Sequence, residues 1–531
     1  MHKVHLLLAA TLVLAGCAGS SGTSSAPTPG NQHTGFQEYV VHGPVFHRAD
    51  GELANASEYP GVPPVFVEKH VAERGAGEPT IGVNAKGVAI YPSIAFDIST
   101  PAGNYPSTRV MISKDNGTTW TDSSPFVANA GLLRANPASL DPYVYADPVT
   151  GRLFNIDLNL AAGGFLSWTD DGGSTWTSQP GCCGIPVDDH QSLFAGPQKV
   201  LVGNPVLYPG RILYFCVNQI GSTTCTHSVD GGLTWSAGVS AYPGAEPPTG
   251  GEGQQCTPTP NDPSPVLNCF CGGLSGHGHA SEKTGTVFVP KGQCGKAEVA
   301  RSTDNGLTFT DIVVDQTVGM PDHEAIVSTD KAGNVYYFFL DGKTLPRLSV
   351  SRDDGVTWSK PVNVTVPGVT AAKFPSIVAG DTGKIAFLYL GTTSPHGHHL
   401  GDRYANGTLM YKSEYENSTW NAYVGFSLDA LAPDPVFATV VAHNETDPLA
   451  RGTCAGRCFG TVDGGMYDFL DIDIHPKTGQ VWVAYVDNCN EDKPDAKPAC
   501  NAADGNPDSF QRSRASVGVQ MGGTTLGSAL P

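Results

Sequence analysis

The sequence predicts an all-β fold, a seven-bladed β-propeller built from four-stranded blades. Three observations predict it. An octapeptide of pattern S/T-x-D-x-G-x-T-W/F recurs along the chain. A second repeat, two short apolar stretches around a Gly-containing turn, lies upstream of each copy. Gly (64) and Pro (41) together make about a fifth of the 531 residues, so turns are frequent and long helices are not. With 40% apolar residues, including 7 Trp, 18 Tyr and 21 Phe, the chain has enough apolar surface for a large core and is not disordered.

The octapeptide copies are SKDNGTTW from Ser113, TDDGGSTW from Thr169, SVDGGLTW from Ser228, STDNGLTF from Ser302 and SRDDGVTW from Ser351. Their acids are Asp115, Asp171, Asp230, Asp304 and Asp353. A carboxylate can accept hydrogen bonds from turn amides, Gly permits positive φ, and Thr plus an aromatic restart a strand. The aromatic also supplies apolar area for packing between sheets. SEYENSTW from Ser413 reads as a sixth, decayed copy. This pattern resembles the Asp box, or BNR repeat, of sialidase-like β-propellers. The resemblance spans Ser113 to Trp420 and implies that the boxes are structural turns on the face away from the functional site.

The upstream repeat begins at Glu78, Asp141, Asp189, His277, Asp322, Lys373 and Asp468, which gives seven blades. A six-bladed ring, usual for sialidases, is the alternative. The segment Phe36 to Phe46 is expected to supply the outer strand that closes the ring against the tail SRASVGVQ. Radial closure of this kind leaves only short edges.

In a propeller, the inner strand of each blade starts beside a central funnel. The polar starts Glu78, Asp141, Asp189, His190, His277, His279, Asp322, His323, Glu324, Lys373, Asp468 and Asp471 are therefore expected at one mouth. Alternate residues of a strand share a face, so His277 and His279, with His190 and His323 nearby, are candidate ligands of a divalent metal, calcium or zinc. No cofactor is certain. Two insertions, 237–276 and 427–467, are expected as rim loops.

The N-terminus carries an address. A short apolar run from Val4 to Leu14 ends in Leu14-Ala15-Gly16-Cys17. That string resembles the lipobox of prokaryotic lipoproteins. It implies a signal peptide over 1–16, lipidation of Cys17, a flexible Ser/Gly/Pro-rich tether over 17–35 and one propeller domain over 36–531. The expected location is the extracytoplasmic cell envelope, with the membrane touched through the lipid anchor only. Twelve cysteines remain, an even number that suits an oxidising compartment. Expected pairs are Cys216 with Cys225, Cys454 with Cys458, and Cys489 with Cys500.

The formal charge of −19 argues against a nucleic-acid partner. The resemblance implies instead an extracellular glycan or a surface protein as partner of a monomer, and sialoside hydrolysis as the best-known activity. Sialidases clamp the sugar carboxylate with three arginines, because Arg forks bind carboxylates bidentately. A Tyr–Glu nucleophile pair and an Asp acid/base do the chemistry. The Arg-Ile-Pro motif expected before the first box is absent. Arg109, Arg347 and Arg403 sit near funnel-side strand starts, and with Glu78 and Asp141 they are the substrate-binding candidates. Asp322, Glu324, Asp189, Tyr467 and Asp468 are the catalytic candidates. Three readings stand: a sialidase-like glycoside hydrolase, a non-catalytic glycan- or protein-binding propeller, and a metal-dependent enzyme of the funnel.

Overall fold

The computed structural model describes residues 39–40, 44–72, 76–95, 107–125, 140–159, 163–183, 189–199, 208, 210–219, 222–242, 274–293, 295–320, 325–393, 419–444, 447–451, 469–487 and 513–530. Their strands form seven antiparallel sheets, each with four strands in meander order, and the sheets of blades 6 and 7 carry further strands. The inner strands of blades 1 to 7 are Gly82–Val83, Leu140–Ala146, Asp189–Pro197, His279–Ala280, Ile326–Thr329, Ala371–Ala379 and Asp471–Ile474. Each inner strand lies against the inner strand or second strand of the next blade, and the strand of blade 7 lies against that of blade 1, so the ring closes. The count is seven, not six.

Local chemistry explains the turns. In blade 4, Asp304 accepts hydrogen bonds from the Thr308 amide (2.9 Å), the Thr308 hydroxyl (2.6 Å) and Ser302 Oγ (2.8 Å). Ser302 Oγ in turn accepts from the Gly306 amide at 2.9 Å. Blades 1, 2, 3 and 5 repeat the same bonds around Asp115, Asp171, Asp230 and Asp353. Each of these five boxes turns the third strand of its blade into the fourth. The glycine is required: Gly355 has φ +82°, and a Cβ there would meet Phe288 at 2.5 Å.

The core lies between neighbouring blades. Phe338 of blade 5 packs on Phe387 of blade 6 at 5.0 Å, and Phe66 of blade 7 packs edge-on to Phe426 of blade 6 at 6.0 Å. Tyr337 of blade 5 donates its hydroxyl to the Lys291 carbonyl of blade 4 at 3.1 Å.

Three sequence expectations are corrected here. The strand that closes blade 7 is Val65–Ala72, paired with Arg514–Gly522. The described parts of the expected segment 36–46 lie further out: Tyr39–Val40 extends blade 7, and Val45–His47 extends blade 6 beyond Phe437–Val441. Val65–Ala72 is buried from Phe66 to Val71 without alternation, and Phe66 and Val71 both join the core, with a register shift between His70 and Ala72. Next, Thr419-Trp420 does not follow a box. It opens the third strand of blade 6, where Trp420 is buried between the blades. The turn of that blade comes later, where Asp429 accepts from Ser427 Oγ at 2.9 Å and from the Val436 amide at 3.3 Å. For that reason 427–467 is not one rim loop: it contains this turn and the strand Phe437–Val441.

Candidate functional site

The five boxes lie at one end of the channel, and the inner strands start at the other. At that second end four residues adopt left-handed backbone: Glu78 (φ 46°), Asp141 (φ 49°), His190 (φ 48°) and Phe374 (φ 53°). They occupy equivalent positions in blades 1, 2, 3 and 6. In blades 2, 3 and 6 the pairing register shifts at this point. An unpaired residue in a bulge re-aims its neighbours, and non-glycine residues held left-handed cluster at functional sites.

Neighbouring blades are tied together there. Glu78 accepts from the Asp141 amide at 3.0 Å, and Gln191 donates to the Asp141 carbonyl. Glu78 and Asp141, at 3% and 8% exposure, are thus joined at the mouth through the Asp141 backbone. Next to them, four rings from blades 2, 3, 4 and 7 converge. Phe469 lies 5.1 Å from His190 and 5.7 Å from His277, and Tyr143 meets His277 edge-on at 4.5 Å. Burial pushes the His277 imidazole down to about 3, and nearby His190 adds to the effect, so His277 is neutral.

Further along the channel lies a cavity of about 170 Å³, lined on one side by Asp471 and Asp473 and on the other by His277 and His279. Ala529 and Leu530 also line it, because the tail crosses the blade 7 turn, with the Leu526 amide donating to the Gly479 carbonyl at 3.0 Å. Desolvation pushes Asp471 up to about 7 and Asp473 up to about 8. His279 Nε2 shares a hydrogen bond with Thr329 Oγ1 at 2.9 Å, and desolvation lowers its pKa to about 4, with Arg211 lowering it further.

The ring therefore brings Glu78, Asp141, His190, His277, His279 and Asp471 to the channel. Asp189 opens the inner strand of blade 3. His277 and His279 turn to different partners. Among the described residues, no three acid, imidazole or thiol groups converge to hold a metal ion. Arg109 lies 3.9 Å from Asp122, and Arg347 lies 2.6 Å from Asp341 and 4.0 Å from Asp50. Cys216 and Cys225 face each other on paired strands of blade 3 and are bonded, as are the adjacent Cys182 and Cys183. Asp322, His323, Glu324, Arg403, Tyr467, Asp468, Cys17, Cys454, Cys458, Cys489 and Cys500 lie outside the described residues.

Sequence reasoning missed Tyr143, Phe469 and Asp473. Asp473 was legible as the second acid of an alternating Asp-x-Asp on one strand face. Phe469 was legible only as the apolar residue standing where blades 1 and 2 carry acids. Arg514 was also missed; it is buried at the start of a third strand, beside His70 at 3.4 Å and near Glu68.

No family model matches the chain, and no curated protein matches it. Solved structures do. A protein of unknown function from Dyadobacter fermentans is 14% identical over 88% of this chain and 100% of its own, with a TM-score of 0.39. The intramolecular trans-sialidase from Ruminococcus gnavus, in complex with oseltamivir carboxylate, is 14% identical over 77% of this chain and 89% of its own, with a TM-score of 0.35. The BP39L lectin from Burkholderia pseudomallei is 10% identical over 79% of this chain and 93% of its own, with a TM-score of 0.42. These likenesses carry no argument about activity.

Proposed function

We propose that this chain is an exported, lipid-anchored propeller that binds a neutral glycan, rather than a sialoside, at the funnel mouth. Its glycan direction is carried over from the Asp-box resemblance, and its address from the lipobox at Cys17. The observation that supports a neutral ligand is the charge at the mouth. Glu78 and Asp141 stand there as acids, while Arg109 and Arg347 are already matched with acids of their own. A sugar carboxylate needs uncommitted guanidinium forks, whereas sugar hydroxyls can donate to carboxylates.

A second reading, glycoside hydrolysis, is favoured by the presence of two acids, Glu78 and Asp141, on neighbouring blades at the mouth, since glycosidases work with two acids around one bond. Asp189, Asp322, Glu324, Tyr467 and Asp468 remain its further candidates. The test is a glycan array combined with a turnover assay on the same sugars. Retention of neutral glycans without sugar release is expected. Release of a neutral sugar, lost in Glu78→Gln, supports the second reading, and turnover of sialosides overturns the neutral-ligand proposal. Both readings predict that a chelator leaves binding unchanged; its loss, restored by calcium or zinc, would return the metal-dependent reading.

A further inference from the structure

Neighbouring inner strands are linked by side-chain hydrogen bonds at several seams. At three described seams a hydroxyl supplies them. Thr80 Oγ1 accepts from the Val144 amide at 3.1 Å, Ser192 Oγ from the Gly278 amide at 3.2 Å, and Ser328 Oγ from the Ala379 amide at 3.1 Å. At the seam between blades 7 and 1 the acceptors are carboxyls. Asp471 Oδ2 accepts from the Ile81 amide at 3.0 Å, and Asp473 Oδ2 from the Val83 amide at 2.7 Å. Ser376 of blade 6 donates to Asp471 Oδ1 at 3.3 Å. These contacts join residues 390 positions apart in sequence, where the last repeat meets the first.

We propose that Asp471 and Asp473 are a pH-sensitive latch on the ring, holding blade 7 to blade 1 when neutral and loosening that seam when ionised. The cavity carries this inference. The two acids stand two residues apart on one strand, so both face the channel. Among the described residues, no Lys or Arg lines that cavity. Blade 2 presents Tyr143 and Tyr145, and blade 4 presents His277, His279 and Glu282. Blade 1 carries Glu78 and blade 6 carries Lys373 at the mouth ends of their inner strands, and His475 follows Asp473 on its own blade. Both imidazoles are held neutral by burial, so on the described cavity wall the charge of the ionised pair is offset by the hydrogen bonds from Ile81, Val83 and Ser376 and by no cation.

Burial raises both acids, to about 7 and about 8, while an unfolded aspartate titrates near 4. Below about pH 4 both states are protonated and stability is full. Between about pH 4 and 8 the unfolded chain releases protons that the ring retains, so stability falls as pH rises. The slope reaches roughly tenfold per pH unit in the unfolding constant for each carboxyl.

The experiment is denaturant unfolding from pH 5 to 8.5 on the full chain, with hydrogen exchange of the 78–84 segment as a local readout. Asp471→Asn and Asp473→Asn keep a carbonyl acceptor without the charge. The expected result is a falling wild-type stability, a shallower slope in each variant, and variants at least as stable as wild type at pH 8.5. Exchange of 78–84, corrected for its intrinsic pH dependence, should accelerate in wild type only. An unchanged slope in either variant that folds, or equal destabilisation at pH 5 and 8.5, overturns the proposal. So does a wild-type stability that does not fall across this range. Glycan binding plays no part in the outcome.

Discussion

Asp171 and Asp473 are the same residue in opposite settings. Asp171 sits on an exposed turn, where the amide and hydroxyl of Thr175 hold its carboxyl down to about 2. Asp473 sits in the channel, where desolvation lifts it to about 8. The partners of Asp171 lie within four residues of it, and Asp473 accepts from an amide 390 residues away. The turn end of the molecule is thus built from local bonds repeated five times. The channel and mouth are built from non-local bonds that change between seams, hydroxyls at three of them and carboxyls where blade 7 meets blade 1. The repeats carry the fold, and the deviations from them carry whatever is specific to this chain.

Breaking the non-local closure should have the largest effect. Phe66 is fully buried on the strand that completes blade 7, so Phe66→Ala should lower unfolding stability by about 3–5 kcal/mol in a denaturant titration. A complete local turn comes next. Asp304→Ala removes three acceptor contacts and should cost about 1–3 kcal/mol in the same measurement. Asp429 of blade 6 accepts from Ser427 Oγ and, at longer range, from the Val436 amide, so Asp429→Ala should cost about 1 kcal/mol or less. An equal loss at Asp304 and Asp429 would erase the distinction between complete and reduced turns.

The smallest effect is an acid limb. Asp171 and Asp353 are both held near 2 by hydrogen bonds from Thr175 and Thr357. A depressed carboxylate contributes stability above about pH 4, and this is lost as pH falls through about 2. Denaturation midpoints should therefore drop below pH 4, and less so in Asp171→Asn.

Legibility follows the same division. Blades 1 to 5 were readable because each box declares itself in eight residues, with Asp, Gly and Thr at fixed positions. Blade 6 misled because Thr419-Trp420 mimics the end of a box, while the true turn keeps only Ser427 and Asp429. The closing strand of blade 7 was misplaced because pairing with Arg514–Gly522 leaves no local trace at 65–72. At the mouth, the acids Glu78 and Asp141 were visible as the polar starts of repeats. That Phe469 of blade 7 reaches the imidazoles of blades 3 and 4 was not visible, since it depends on ring curvature. The pairing of Arg347 with Asp341 was equally hidden, and it changes the expected ligand.

The central claim is that specificity lies at the mouth and not on the turn face. It is tested most directly by glycan-array binding of wild type, Glu78→Gln, Asp141→Asn and Asp304→Ala at a temperature where all four are folded. Neutral-glycan binding is expected to fall at least about tenfold, or about 1.4 kcal/mol, in the two mouth variants and to stay unchanged in Asp304→Ala. Binding that survives both mouth substitutions, or that follows the turn substitution, would contradict it.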